Sequence, residues 1–338
     1  MSRLFAPLGA CVLLACAPVA GEGDAAAAGG DASLAGQALF VANKRGNSVM
    51  KIDLLTGREL ARIASCANPH ELATSPDGAH VALACYGGTS VDIFETADLR
   101  LMRSIELGTN ARPHGIVWHA NGDFYVTAEG RESLFWVRKP VDAPEAFEFS
   151  TGQRGSHMIA VSPDARHAWT MDLGSGTVTL VDLQTRRAPR SVAVGVEPEG
   201  IALSPDGKAL WVSARGSDKA IELDPMTLDV RSEAATGDFP LRLAIRPQGD
   251  VAVTSNLADG SLSVIELATA RVIRTIAVSS REEAQARAQV TILWSADGKR
   301  IYVAETGTDT IAEVDYASGK VRRRLIAGEG GDGLAILP

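Results

Sequence analysis

The sequence is poor in several features that mark common functional classes, and each shortage excludes something. Its 338 residues carry 33 Lys and Arg against 41 Asp and Glu, a formal charge of −8, and no basic run is longer than Arg322-Arg323-Arg324. A surface that neutralises phosphates needs a cationic stripe, so nucleic acid is excluded as a partner, and the arginine triplet reads as a solvated outer strand. There is no CxxCH haem site, no nucleophile elbow and no dinucleotide-type glycine fingerprint. Aromatic residues make up 5% of the chain and cysteines number four. The one leading apolar run, Leu4 to Leu14, is too short to span a bilayer.

That run does have the layout of an export signal: Arg3, the apolar stretch, then small residues. Leu13-Leu14-Ala15-Cys16 resembles a bacterial lipobox, which implies lipidation of Cys16 and residues 1–16 as the signal. Leu8-Gly9-Ala10-Cys11 competes with too short an apolar region before it, and plain cleavage after Ala17 or Ala20 is the alternative. Residues 17–37 are Ala, Gly and Asp, a composition expected of a flexible tether. The expectation is an exported chain in the periplasm or on the outer membrane, touching the membrane through its lipid anchor only. In an oxidising compartment the remaining thiols, Cys66 and Cys85, are expected to pair, with metal ligation beside His70 as the alternative.

What the sequence has in abundance is turns and repetition. Gly numbers 33 and Pro 15, and 46% of residues are hydrophobic. From Pro198 to Asp224, three period-2 apolar runs are divided by Ser204-Pro205-Asp206-Gly207 and Arg215-Gly216-Ser217-Asp218, the pattern of an antiparallel meander. Pro205 fixes φ at the turn corner and Gly207 takes the positive φ that follows. Relatives of this turn recur at Ser75, His119, Ser162, Arg246 and Ser295. A spacing of about 42 residues means stacked or radial repeats. First strands fall near Glu71, Gly115, Met158, Gly200, Arg242, Thr291 and Gly333, while the opening repeat at Ala38 lacks one and the chain stops just after another. Six whole units and one assembled from both termini predict an all-β, seven-bladed β-propeller over 38–338, closed by pairing its two ends.

The second strands Phe40-Val41-Ala42-Asn43, Tyr125-Val126-Thr127-Ala128 and Tyr302-Val303-Ala304-Glu305 resemble the YVTN family of propeller repeats. The similar lactonase-like and quinoprotein-like propellers share this architecture and not one chemistry, so the resemblance implies the fold and leaves function open.

Two positions before the aligned apolar residue of each first strand stand His70, His114, His157, Glu199, Leu241, Val290 and Asp332. In a propeller this register lines the channel mouth, and closure sets Asp332 beside His70. Converging imidazoles and carboxylates suit zinc or copper, so His70, His114, His157, Glu199 and Asp332 are the candidate ligands of a single ion. The resemblance extends to propellers that hold metal at the axis with histidines from successive blades, as nitrous oxide reductase does. A second ring, Asn43, Cys85, Ala128, Asp172, Ala214, Ser255 and Glu305, with Lys44, Glu129, Arg215 and Asn256 beside it, reads as a polar pocket rim on the same face. His80, His119 and His167 fall at the opposite face. The insertion Ser280 to Ala288 reads as a capped helix placed to cover the mouth. The expected function is binding of a metal or small molecule at the mouth. The alternatives are a metal-dependent lactonase, lyase or oxidoreductase, and a platform for a protein partner.

Overall fold

The computed structural model describes residues 31–185 and 187–337. The export signal, Cys16 and residues 17–30 lie outside them. Strands form seven four-stranded antiparallel sheets, each running from an inner to an outer strand, and the inner strands neighbour one another in a closed ring. Blade 1 joins Gly331–Ile336 to Ala38–Asn43, with Leu39 opposite Ile336 and Val41 opposite Leu334. Blades 2 to 7 begin with the inner strands Pro69–Thr74, Pro113–Trp118, Ser156–Val161, Pro198–Leu203, Pro240–Ile245 and Gln289–Trp294. The molecule is a seven-bladed β-propeller.

Local chemistry sets the turns. In the first of them Ser75 Oγ accepts from the His80 N–H and donates to the Asp77 carboxylate, while Gly78 takes φ +69°. The same hydroxyl-to-carboxylate contact recurs at Ser162, Ser204 and Ser295. The aromatic residue of the second strand then staples one blade to the next. Phe40 packs among Leu72 and Val81, Tyr125 among Ile159 and Val181, Trp211 among Leu243 and Ile265, and Tyr302 among Leu39 and Val41. All four rings are fully buried, so the core is a ring of inter-blade seams rather than a single centre.

The end of the expected tether differs from its composition. Ala32–Leu34 forms one 3₁₀ turn, capped by Asp31 accepting from the Ser33 N–H, and Asp31 pairs with Arg300. Leu34 is buried among Leu39, Ile52 and Tyr302. One large apolar side chain in a stretch of small ones is enough to dock it.

Candidate functional site at the channel mouth

Each inner strand reaches the mouth through a left-handed residue. Asn68, Arg112, Gly155, Glu197, Phe239, Ala288 and Gly330 all have φ between +47° and +69°. Just beyond, the ladder skips, between Pro69 and Leu72, Pro113 and Ile116, and Pro240 and Arg242 among others. Such an irregularity cancels the in-and-out alternation of side chains. Consecutive residues can therefore both be buried at the mouth, as His70 and Glu71 are. Where neighbouring inner strands come closest only glycine fits: a Cβ on Gly115 would lie 2.7 Å from the His157 carbonyl oxygen, and one on Gly333 1.9 Å from that of His70.

The three histidines form a contiguous buried arc. Ring centroids of His70 and His114 are 4.7 Å apart and those of His114 and His157 are 3.7 Å apart. His157 Nδ1 faces Glu129 at 3.9 Å and its Nε2 faces Glu199 at 3.7 Å. Both His157 nitrogens and Nδ1 of His114 lack a protein hydrogen-bond partner. Asp332 is buried and held by Lys44 at 2.7 Å, and Glu199 is paired with Arg215.

Sequence reasoning missed the centre of this cluster. Arg242, from blade 6, meets Glu71, from blade 2, at 2.8 Å across the channel, and its other terminal nitrogen is 3.6 Å from Glu199. Arg242 was assigned to the strand and Leu241 to the mouth, because the broken register is a property of the backbone. Tyr86 was missed as well. It stands one place past its second strand, the register that also supplies Lys44, Glu129 and Arg215.

Other expectations change. Asn43, Asp172, Asn256 and Glu305 are fully buried and form internal networks, not a pocket rim. Asn43 bonds Ser48 and the Gly328 N–H, Asp172 accepts from Ser156, Thr170, Thr177 and Thr179, and Glu305 pairs with Arg287 and Arg324. The helix Arg281–Arg287 forms with a Ser280 capping box. It packs on the loops of blades 6 and 7 through Arg281 to Asp238 and Arg287 to Glu305, on the far side of the ring from His114, so it does not cover the histidines. The cover is Tyr86, whose ring centroid is 4.4 Å from His70 and 5.4 Å from His114. Cys66 and Cys85 are joined as a disulfide, Cα atoms 5.6 Å apart, which ties the approach to His70 to the strand that ends before Tyr86.

Charge sets the protonation of the arc. Burial and then Lys44 pull His70 down to about 4, and burial with the neighbouring imidazoles holds His114 well below its usual value. Burial also acts on His157, but the Glu129 and Glu199 carboxylates outweigh it and raise the ring above 6.5. Burial pushes Glu71 up against the pull of Arg242, while Lys44 and Arg242 overcome burial and hold Asp332 down. Tyr86 is pushed up to about 12 by burial and Glu129.

For a metal ion the donor set divides. His70 and His114 are buried and held neutral, and Nδ1 of His114 is without a hydrogen-bond partner while Nδ1 of His70 meets the Asn68 carbonyl; a neutral imidazole suits a transition metal. The carboxylates of Glu199 and Asp332 are already neutralised by Arg215 and Lys44. Among the described residues the only three His, Cys, Asp or Glu side chains whose donor atoms all lie within 4.8 Å of one another are Cys66, Cys85 and Asp92, two of them in the disulfide. The three imidazoles do not form such a set as they stand, and the Glu199 and Asp332 carboxylates already have cationic partners.

No protein-family model matches the chain, and no curated protein matches it. Solved structures do. A hydrazine synthase structure from Kuenenia stuttgartiensis shares 19% identity over 83% of this chain and 92% of its own, with a TM-score of 0.68. Apo AztD from Citrobacter koseri shares 16% identity over 89% of this chain and 97% of its own, with a TM-score of 0.63. A streptogramin B lyase structure shares 15% identity over 76% and 82%, with a TM-score of 0.62. The chain shares the propeller fold of these structures, and at these identities the likeness extends to the fold alone.

Proposed function

We propose that this is an exported, lipid-anchored propeller of the YVTN type that binds a ligand at its channel mouth, and that the ligand set includes one transition-metal ion, zinc or copper, held by His70, His114 and His157. The observation that carries the reading is the row of three touching, buried imidazoles in which His114 and His157 have nitrogens with no protein partner. A buried polar atom without a partner is costly and calls for an occupant. Glu199 and Asp332 act at one remove, offsetting the charge of Arg215 and Lys44. Export and the Cys16 anchor, and with them a periplasmic or outer-membrane location, are supported by the leader sequence.

Metal content of protein purified from its native envelope, and its melting temperature during zinc and copper titration, test this. Bound metal raises the melting temperature with concentration because it binds the folded state. His114→Ala abolishes the rise, whereas His80→Ala leaves it, since His80 lines a groove with Ser75 and Trp118 at the opposite face. Equal, weak responses in wild type and His114→Ala would return the protein to the class of interaction platforms.

A second reading, a hydrolase or lyase, rests on His157 facing two carboxylates, an arrangement suited to a general acid or base. Lactone turnover that disappears with His157→Gln would favour it.

A further inference from the structure

The histidine arc is covered on the mouth side by a pair of side chains, Tyr86 and Arg112. Tyr86 covers His70 and His114, and the Arg112 guanidinium stacks 4.4 Å from the Tyr86 ring centroid while donating to its hydroxyl. Arg112 itself occupies the left-handed backbone position, φ +48°, that the corresponding residue takes in every blade, a glycine in blades 4 and 1 only. Among the described residues Arg112 makes no ion pair. Its fork instead borders a cavity of about 440 Å³ lined by Asn68, Tyr86, Thr89 and Asn110 over the Gly87-Gly88 backbone.

The polar groups of that cavity are unequally occupied. The Thr89 hydroxyl donates to Glu106 and the Asn110 amide to the Gly130 carbonyl. The Asn68 side-chain amide makes no hydrogen bond among the described residues. Gly87 keeps the floor low, since a Cβ there would lie 2.5 Å from the Ala67 carbonyl oxygen. Two carboxylates border the cavity, Glu106 on the Thr89 hydroxyl and Glu129 beside Tyr86 and Arg112, whereas Glu199 and Asp332 face Arg215 and Lys44.

We propose that this cavity docks an oxyanion group, carboxylate or phosphate, of a small ligand whose remainder reaches the histidine arc. The Arg112 fork receives the anion, Asn68 adds a hydrogen bond, and engagement draws Arg112 off the Tyr86 hydroxyl so that the cover opens. Lys44 and Arg215 are already paired with Asp332 and Glu199, so Arg112 is the cation of the cavity lining that an anion meets. The inference rests on the reading of the mouth as a ligand site and names the class of ligand.

The test titrates metal-free, full-length protein by calorimetry with citrate and, separately, with inorganic phosphate, comparing wild type with Arg112→Gly and Arg112→Gln. The glycine variant relieves the backbone, so it folds at least as well. At least one anion binds wild type, weakens with added salt, and weakens tenfold or more in both variants; which anion binds identifies the source of the group. Binding that is unchanged in both variants, or absent in wild type for both anions, overturns the inference. Zinc titration of the same three proteins separates the two readings. Zinc binding with Arg112-independent anion binding removes this inference and keeps the metal, whereas Arg112-dependent anion binding without zinc binding keeps the inference and removes the metal.

Discussion

Two imidazoles kept neutral inside a ring of charges make the stability of the protein depend on pH with a definite sign. An unfolded histidine titrates near 6.5, while folded His70 does so at about 4 and folded His114 well below 6.5. Below pH 6.5 the unfolded state takes up protons that the folded state refuses, so stability falls as pH drops through this window, by at most about 1.4 kcal/mol per pH unit for each histidine. His157 works in the other direction. Its folded value lies above 6.5, so its contribution is complete below 6.5 and is lost as pH rises through the folded value. The combined contribution of these three histidines is therefore greatest near pH 6.5. His114→Gln removes about one proton from the slope between pH 5 and 6.5, read from denaturant midpoints across pH; an unchanged slope would show that His114 is solvated.

At the scale of the element, what could be read in advance was whatever follows a fixed offset. His70, His114, His157, Glu199 and Asp332 sit at one distance before an apolar residue, and the Ser-Pro-Asp-Gly turns announce themselves by composition. Arg242 and Glu71 could not be read, because two successive inward residues contradict the period of two, and the irregularity that permits them exists only in the folded ladder. The helix was legible from Ser280 to Ala288, but its resting place depends on Asp238 and Glu305 of flanking blades, which no local pattern connects to it. The disulfide belongs to this scale too. It spans 19 residues and fixes the approach to His70 against the strand that leads to Tyr86. Replacing both Cys66 and Cys85 with alanine costs about 3 kcal/mol by the chain-entropy argument, measured by guanidinium unfolding. The double variant also loosens the Tyr86 cover, so zinc binds it faster than wild type in stopped-flow mixing. A loss of stability with no change in that rate would make the bond purely structural.

For the whole molecule the decisive feature is closure. Each aromatic seam joins one blade to the next, and the ring is completed because Gly331–Ile336 pairs with Ala38–Asn43 and gives blade 1 its inner strand. That strand contributes buried Leu334 and Ala335, and Asp332 to the mouth. Its Gly333 lets the backbone pass the His70 carbonyl. A chain ending at Gly330 loses these side chains, exposes the edge of Ala38–Asn43, uncovers the inner strands of blades 2 and 7, and leaves Lys44 without its buried partner. The expected loss is several kcal/mol, comparable to the 5–15 kcal/mol that holds an ordinary domain together. Thermal unfolding of the truncated chain should be broad and shifted far down, and addition of a synthetic peptide of residues 331–338 should restore part of the lost transition, because the missing strand docks on an edge that already has its register. A truncated chain that melts cooperatively at the full-length temperature would mean that six blades and an open seventh suffice, and that the terminal pairing does not hold the ring shut.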